Sequence, residues 1–169
     1  MKRILVTGMS GTGKSAVIAE LAARGYKSID ADCDDYSEWV TVSEDASPFG
    51  PLVDEGRDWR WREDRIRTLL ATEDSDTLFV SGCAENMGQF PPQFDAVILL
   101  NAPAAVIVER LRTRIGNDYG KRPEEEARVL GLIASVESLL RRAASHEVDT
   151  SAPIADVVAA VLDTARPGM

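Results

Sequence analysis

The chain has 169 residues, 44% of them hydrophobic, and a formal net charge of −9 from 28 acidic and 19 basic side chains. That length supports one hydrophobic core of ordinary size, so a single domain over residues 1–169 is expected. Acid in excess of base argues against a nucleic-acid partner, which would draw on clustered Lys and Arg. No apolar run approaches the roughly 20 residues needed to cross a bilayer, so the expectation is a cytoplasmic protein with no membrane partner. Cys33 and Cys83 are too few for a metal cluster or disulfide framework, and His146 is the one histidine.

In chain order, residues 3–7 form a short apolar run that reads as the first strand. A glycine-rich segment follows, and then a helix from about Lys14 that turns Val17, Ile18 and Leu21 inward, with Gly25 as a left-handed cap. Residues 26–30 read as the second strand, 77–81 as the third, 96–100 as the fourth and a short piece around 147–148 as the fifth. Between them, helices are expected over 58–72, 103–115 and 123–145. The last carries Val129, Leu132, Ile133, Val136, Leu139 and Leu140 on one stripe. Its charges follow the helix dipole, with Glu124, Glu125 and Glu126 at the start and Arg141 and Arg142 at the end. Residues 41–56, with Pro48, Gly50, Pro51 and Gly56, are the least regular stretch and read as an insertion. Strands separated by helices imply right-handed crossovers, hence an α/β domain with a five-stranded parallel sheet covered on both faces.

Gly8-Met9-Ser10-Gly11-Thr12-Gly13-Lys14-Ser15 is the phosphate-loop pattern, and it stands between an expected strand and an expected helix as that pattern requires. Backbone N–H groups of Gly8, Ser10, Gly11, Thr12, Gly13 and Ala16, with the helix N-terminus, would cradle the phosphates of ATP. Lys14 would reach the β- and γ-phosphates, and Ser15 would ligate Mg²⁺. An Asn-Lys-x-Asp box is absent, as is an Asp-x-x-Gly switch after the third strand, which disfavours a regulatory GTPase.

From the phosphate loop onward the chain resembles the small P-loop kinases, the group containing nucleoside monophosphate kinases and shikimate kinase, over nearly its whole length. The resemblance implies a three-layer P-loop kinase fold and an ATP-dependent phosphotransferase acting on a small molecule. A nucleoside monophosphate is the leading acceptor, a small alcohol is the alternative, and an ATP-binding sensor without transfer activity is the rival of another class. Asp30-Ala31-Asp32 closes the second strand, and shikimate kinase has a similar Asp-x-Asp there. Asp30 or Asp32 would hold Mg²⁺ or engage the acceptor hydroxyl; the alternative is an acidic run with Asp34 and Asp35 that caps a following helix. No Walker B aspartate follows the third strand, which ends Val80-Ser81-Gly82.

Further along, Arg110 and Arg114 lie four residues apart on the expected helix. Arg110 would stack on adenine and Arg114 would meet the transferring phosphate. Residues 115–123 would form a short lid with Lys121 or Arg122 at its end, with a plain turn between helices as the alternative, and the resemblance implies that the loop ending at Pro153 cradles adenine. On the acceptor side, about 31–72, Trp61 and Arg62 on the expected helix suit a planar or phosphorylated acceptor, with Gly82 and Asn86 framing the pocket. Core packing by Trp61 is the alternative.

Overall fold

A computed structural model describes residues 1–41, 57–116, 118 and 120–166. Strand β1 (Lys2–Thr7) is followed by helix α1 (Lys14–Ala23) and strand β2 (Lys27–Asp30). Strands β3 (Ser37–Thr41) and β4 (Arg57–Trp61) come next, then α2 (Glu63–Ala71) and β5 (Thr77–Ser81). Two short 3₁₀ turns lead to β6 (Ala96–Asn101), α3 (Ala104–Thr113), α4 (Pro123–Ala143), β7 (His146–Asp149) and α5 (Ile154–Ala165).

The parallel sheet has the order β2-β5-β1-β6-β7. Side chains alternate across a strand, so each central strand feeds two layers, as a sheet covered on both faces demands. Leu5, Leu78, Val80, Val97 and Leu99 pack with α2 and α4 through Ile66, Leu69, Val136 and Leu140. Ile4, Val6, Phe79, Ile98 and Leu100 face the other way, against Val17, Ile18 and Leu21 of α1 and Val157, Val158 and Val161 of α5. The expected three-layer α/β architecture with five parallel strands is therefore present, and Gly25 ends the α1 region at φ 87°. No described helix is long and apolar enough to cross a membrane.

Two elements differ from the sequence reading. The expected helix over 58–72 is divided: β4 pairs antiparallel with β3, with Trp39 opposite Trp59 and Ser37 opposite Trp61, and the helix begins only at Glu63. The reason is local. Trp59 and Trp61 repeat every second residue, a strand period, whereas Ile66, Leu69 and Leu70 repeat at helical spacing. Asp32 consequently caps no helix, because the chain turns at 31–36 and enters β3. The second difference is α5, whose Val157, Val158 and Val161 stripe behind Pro153 went unread. The irregular segment expected over 41–56 lies outside the described residues except for Thr41, and so do Asn117 and Tyr119 of the expected lid.

Candidate active site

The C-terminal ends of β1, β2 and β5 converge where ligands bind in open α/β sheets. Residues 8–13 leave β1 there and enter α1 through Gly13, whose φ of 96° is a left-handed conformation that an L side chain resists. The N-terminus of α1 has no side-chain cap, which leaves its first N–H groups for a ligand. Thr12 is fully buried and ties the loop to itself, its hydroxyl donating to Met9 O at 2.7 Å. The Lys14 ammonium lies over the loop, donating to Gly8 O at 2.7 Å and Met9 O at 3.0 Å.

The two carboxylates of Asp30-Ala31-Asp32 take different partners. Asp30 Oδ2 accepts the Ser15 hydroxyl at 3.1 Å, and its Oδ1 accepts the Asp32 N–H at 3.0 Å. Asp32 Oδ1 accepts Trp61 Nε1–H at 3.1 Å, and its Oδ2 accepts the Cys83 N–H at 3.0 Å. Burial pushes the Asp32 carboxyl above its ordinary range, and the Lys14 charge with these two donors pulls the other way. Burial likewise pushes the Cys83 thiol up, against the pull of Lys14. The Ser15 hydroxyl and the Asp30 carboxylate form a pair of hard oxygen donors. This suits Mg²⁺, which takes one or two carboxylates and completes its shell with phosphate oxygens and water. Among the described residues no group of three His, Cys, Asp or Glu forms a closed metal site.

On the other side of the loop a cavity of about 250 Å³ lies between α1 and α5, walled by Ala16, Val17, Ile154 and Val157, with Arg110 and Thr150 at its polar end. The Arg110 guanidinium donates to Thr150 Oγ1 at 2.8 Å, to Thr150 O and to Gly11 O at 3.3 Å, so it fastens the loop after β7 to the phosphate loop. Pro153 starts α5 beside this cavity. Arg114 does not share the helix face of Arg110, since α3 ends at Thr113 and Arg114 has extended backbone angles. Lys121 and, more weakly, the Arg114 charge hold the Asp118 carboxyl below its ordinary range.

The acceptor-side residues are placed otherwise than their sequence reading implied. Trp61 is 2% exposed and its ring packs on Phe90, so it offers no open face for stacking. Asn86 spends its carboxamide on the hairpin, accepting Trp61 N–H at 3.0 Å and donating to Trp61 O at 2.9 Å. Arg62 pairs with Glu38 at 2.9 Å and donates to Ser37 O. Gly82 lies directly beneath the Asp32–Trp61 contact: a Cβ there would come within 2.6 Å of Trp61 Cζ2 and 2.9 Å of Asp32 Oδ1. The link between Trp61 and Asp32 went unread, because no spacing rule joins two residues brought together only by the hairpin's docking.

Comparison with known proteins bears on this site. A sequence-family profile described as AAA domain matches residues 4–131. A curated protein of Archaeoglobus fulgidus named "Putative adenylate kinase" is 31% identical over 148 residues, which cover 88% of this chain and 72% of that protein. Shikimate kinase from Acinetobacter baumannii, solved with shikimate, has a TM-score of 0.63 at 20% identity over 98% of this chain and 93% of its own. Deoxyadenosine kinase from M. mycoides, solved with dATP, has a TM-score of 0.60 at 14% identity over 98% and 99%. At those identities the two solved structures speak for the fold alone.

Proposed function

Because the chain belongs to the small P-loop kinases and is an ATP-dependent small-molecule phosphotransferase, we propose that its acceptor presents a hydroxyl group to Asp32. The observation that carries this reading is the Asp32 carboxylate, anchored through both oxygens beside the phosphate loop and within electrostatic reach of Lys14. A carboxylate so placed can accept the proton of an attacking hydroxyl, whereas it repels the oxygens of a phosphate acceptor. Four arginines on this side are engaged within the protein: Arg60 of β4 with Glu85, Arg62 before α2 with Glu38, and Arg65 and Arg67 of α2 with Asp35 O and Glu63.

In this scheme the phosphate loop and Lys14 hold the β- and γ-phosphates, and the base enters the Val17–Val157 cavity, with Arg110, Thr150 and the loop before Pro153 at its rim. Ser15 and Asp30 would hold Mg²⁺, which would supply charge neutralisation to the phosphates. The hydroxyl oxygen attacks the γ-phosphorus, the bond to the β,γ-bridging oxygen breaks, ADP departs, and the hydroxyl proton passes to Asp32. Arg114, just past the end of α3, would meet the transferring phosphate. The transfer needs alignment and charge stabilisation more than covalent help.

A second reading, a nucleoside monophosphate acceptor, is favoured by the name of the Archaeoglobus relative. It requires Arg62 to leave Glu38 and take the acceptor phosphate. ADP release measured with Mg·ATP across nucleosides, sugars, hydroxy acids and nucleoside monophosphates separates the two. Stimulation by a hydroxyl compound is the expected result; stimulation confined to nucleoside monophosphates would replace the first reading with the second.

A further inference from the structure

We propose that Trp61 is a positioning residue for phosphoryl transfer, fixing the Asp32 carboxylate through its indole N–H; the inference rests on the reading of Asp32 given above. One donor on a carboxylate leaves its plane free to turn. Here two donors grip different oxygens, Trp61 Nε1–H on Oδ1 at 3.1 Å and the Cys83 N–H on Oδ2 at 3.0 Å, and together they set the plane while leaving each oxygen a further lone pair. The indole N–H only donates, so it supports an oxygen that accepts and does not compete for an arriving proton.

The ring itself is immobilised from three sides. It is 2% exposed and lies 5.7 Å from the Phe90 ring centroid. Both backbone groups of Trp61 are held by the Asn86 carboxamide. Gly82 has no Cβ; one built there would stand 2.6 Å from Trp61 Cζ2, so a side chain at this position would push the ring away. Trp61 ends β4, so this hydrogen bond is also where the β3–β4 hairpin reaches the reacting centre.

Trp61→Phe keeps an aromatic ring and removes the donor. With Mg·ATP and the acceptor identified by ADP release, kcat should fall about 10- to 100-fold, the range open to one hydrogen bond on a charged group, while KM for ATP changes less than about twofold. The deciding comparison repeats Trp61→Phe in the Asp32→Asn background, where the further loss should shrink to under about twofold because the two residues act as one unit. An equal loss in both backgrounds would mean general loosening and would overturn the proposal, as would wild-type kcat in Trp61→Phe. Full activity in Asp32→Asn alone would instead remove the underlying reading of Asp32. Should Trp61→Phe not fold, the indole ¹H–¹⁵N correlations decide. In Asp32→Ala the Trp61 Nε1–H resonance should move upfield with those of Trp39 and Trp59 unchanged, and a stationary Trp61 resonance would count against the contact.

Discussion

Lys14 and the Asp30/Asp32 pair divide the labour of the site between a charge that follows the phosphate and two carboxylates with separate partners. Among the described residues the hydrogen bonds of Lys14 go to backbone carbonyls of its own loop, so Lys14→Met should leave the melting temperature within a few degrees of wild type while lowering kcat by at least about 10²-fold. A folded Lys14→Met protein with undiminished turnover would reject the phosphate-loop role. Asp30 bonds the Ser15 hydroxyl and Asp32 does not. Asp30→Asn should therefore shift the magnesium titration to higher concentration, with the rate restored in part at saturating Mg²⁺, whereas added Mg²⁺ should not rescue Asp32→Asn. Identical magnesium curves for the two variants would dissolve the distinction between them. The phosphate loop was legible because its function lies in residue identity and spacing alone. Which carboxylate meets Ser15 was not, since residues two apart on a strand share a face and the distinction arises from Trp61, twenty-nine positions away.

The β3–β4 hairpin is the element that departs most from its sequence reading. A period-two pair of tryptophans runs straight into a helical period, and the arginine-rich context disguised the boundary at Arg62. The hairpin docks on the 3₁₀ turn Glu85–Gln89 through Arg60, which meets Asp58 and, at 3.1 Å, Glu85. Burial, followed by the neighbouring Asp58, raises the Glu85 carboxyl to about 7. A carboxyl with a raised folded-state value binds more protons in the folded protein, so its contribution is complete below about 4.5 and is lost as pH rises to about 7. Glu85→Gln should abolish that loss: its melting temperature relative to wild type should increase between pH 5 and pH 8. Parallel melting curves across this range would show that Glu85 does not titrate there. By contrast, the three central parallel strands β1, β5 and β6 were legible because apolar runs between turn residues leave little choice of element. Helix α5 is equally readable from Val157, Val158 and Val161 at helical spacing behind Pro153.

At the scale of the whole molecule, the strand order β2-β5-β1-β6-β7 brings together groups from distant parts of the chain. In the proposed scheme the loop after β1, the carboxylates at the end of β2 and the turn after β5 would supply the phosphate and acceptor sides, and the loop after β7, fastened by Arg110, would close the nucleotide side. The alternation of strand and helix predicted this convergence; the fastening contacts are long-range and belong to no local pattern. The central claim is that the γ-phosphoryl of ATP passes to a hydroxyl held at Asp32, and ³¹P NMR of the reaction mixture tests it most directly. With the acceptor that stimulates ADP release, the account predicts a new phosphomonoester resonance growing in step with ADP. A second diphosphate pair growing from a nucleoside monophosphate, or ATP consumed to ADP and inorganic phosphate alone, would contradict it.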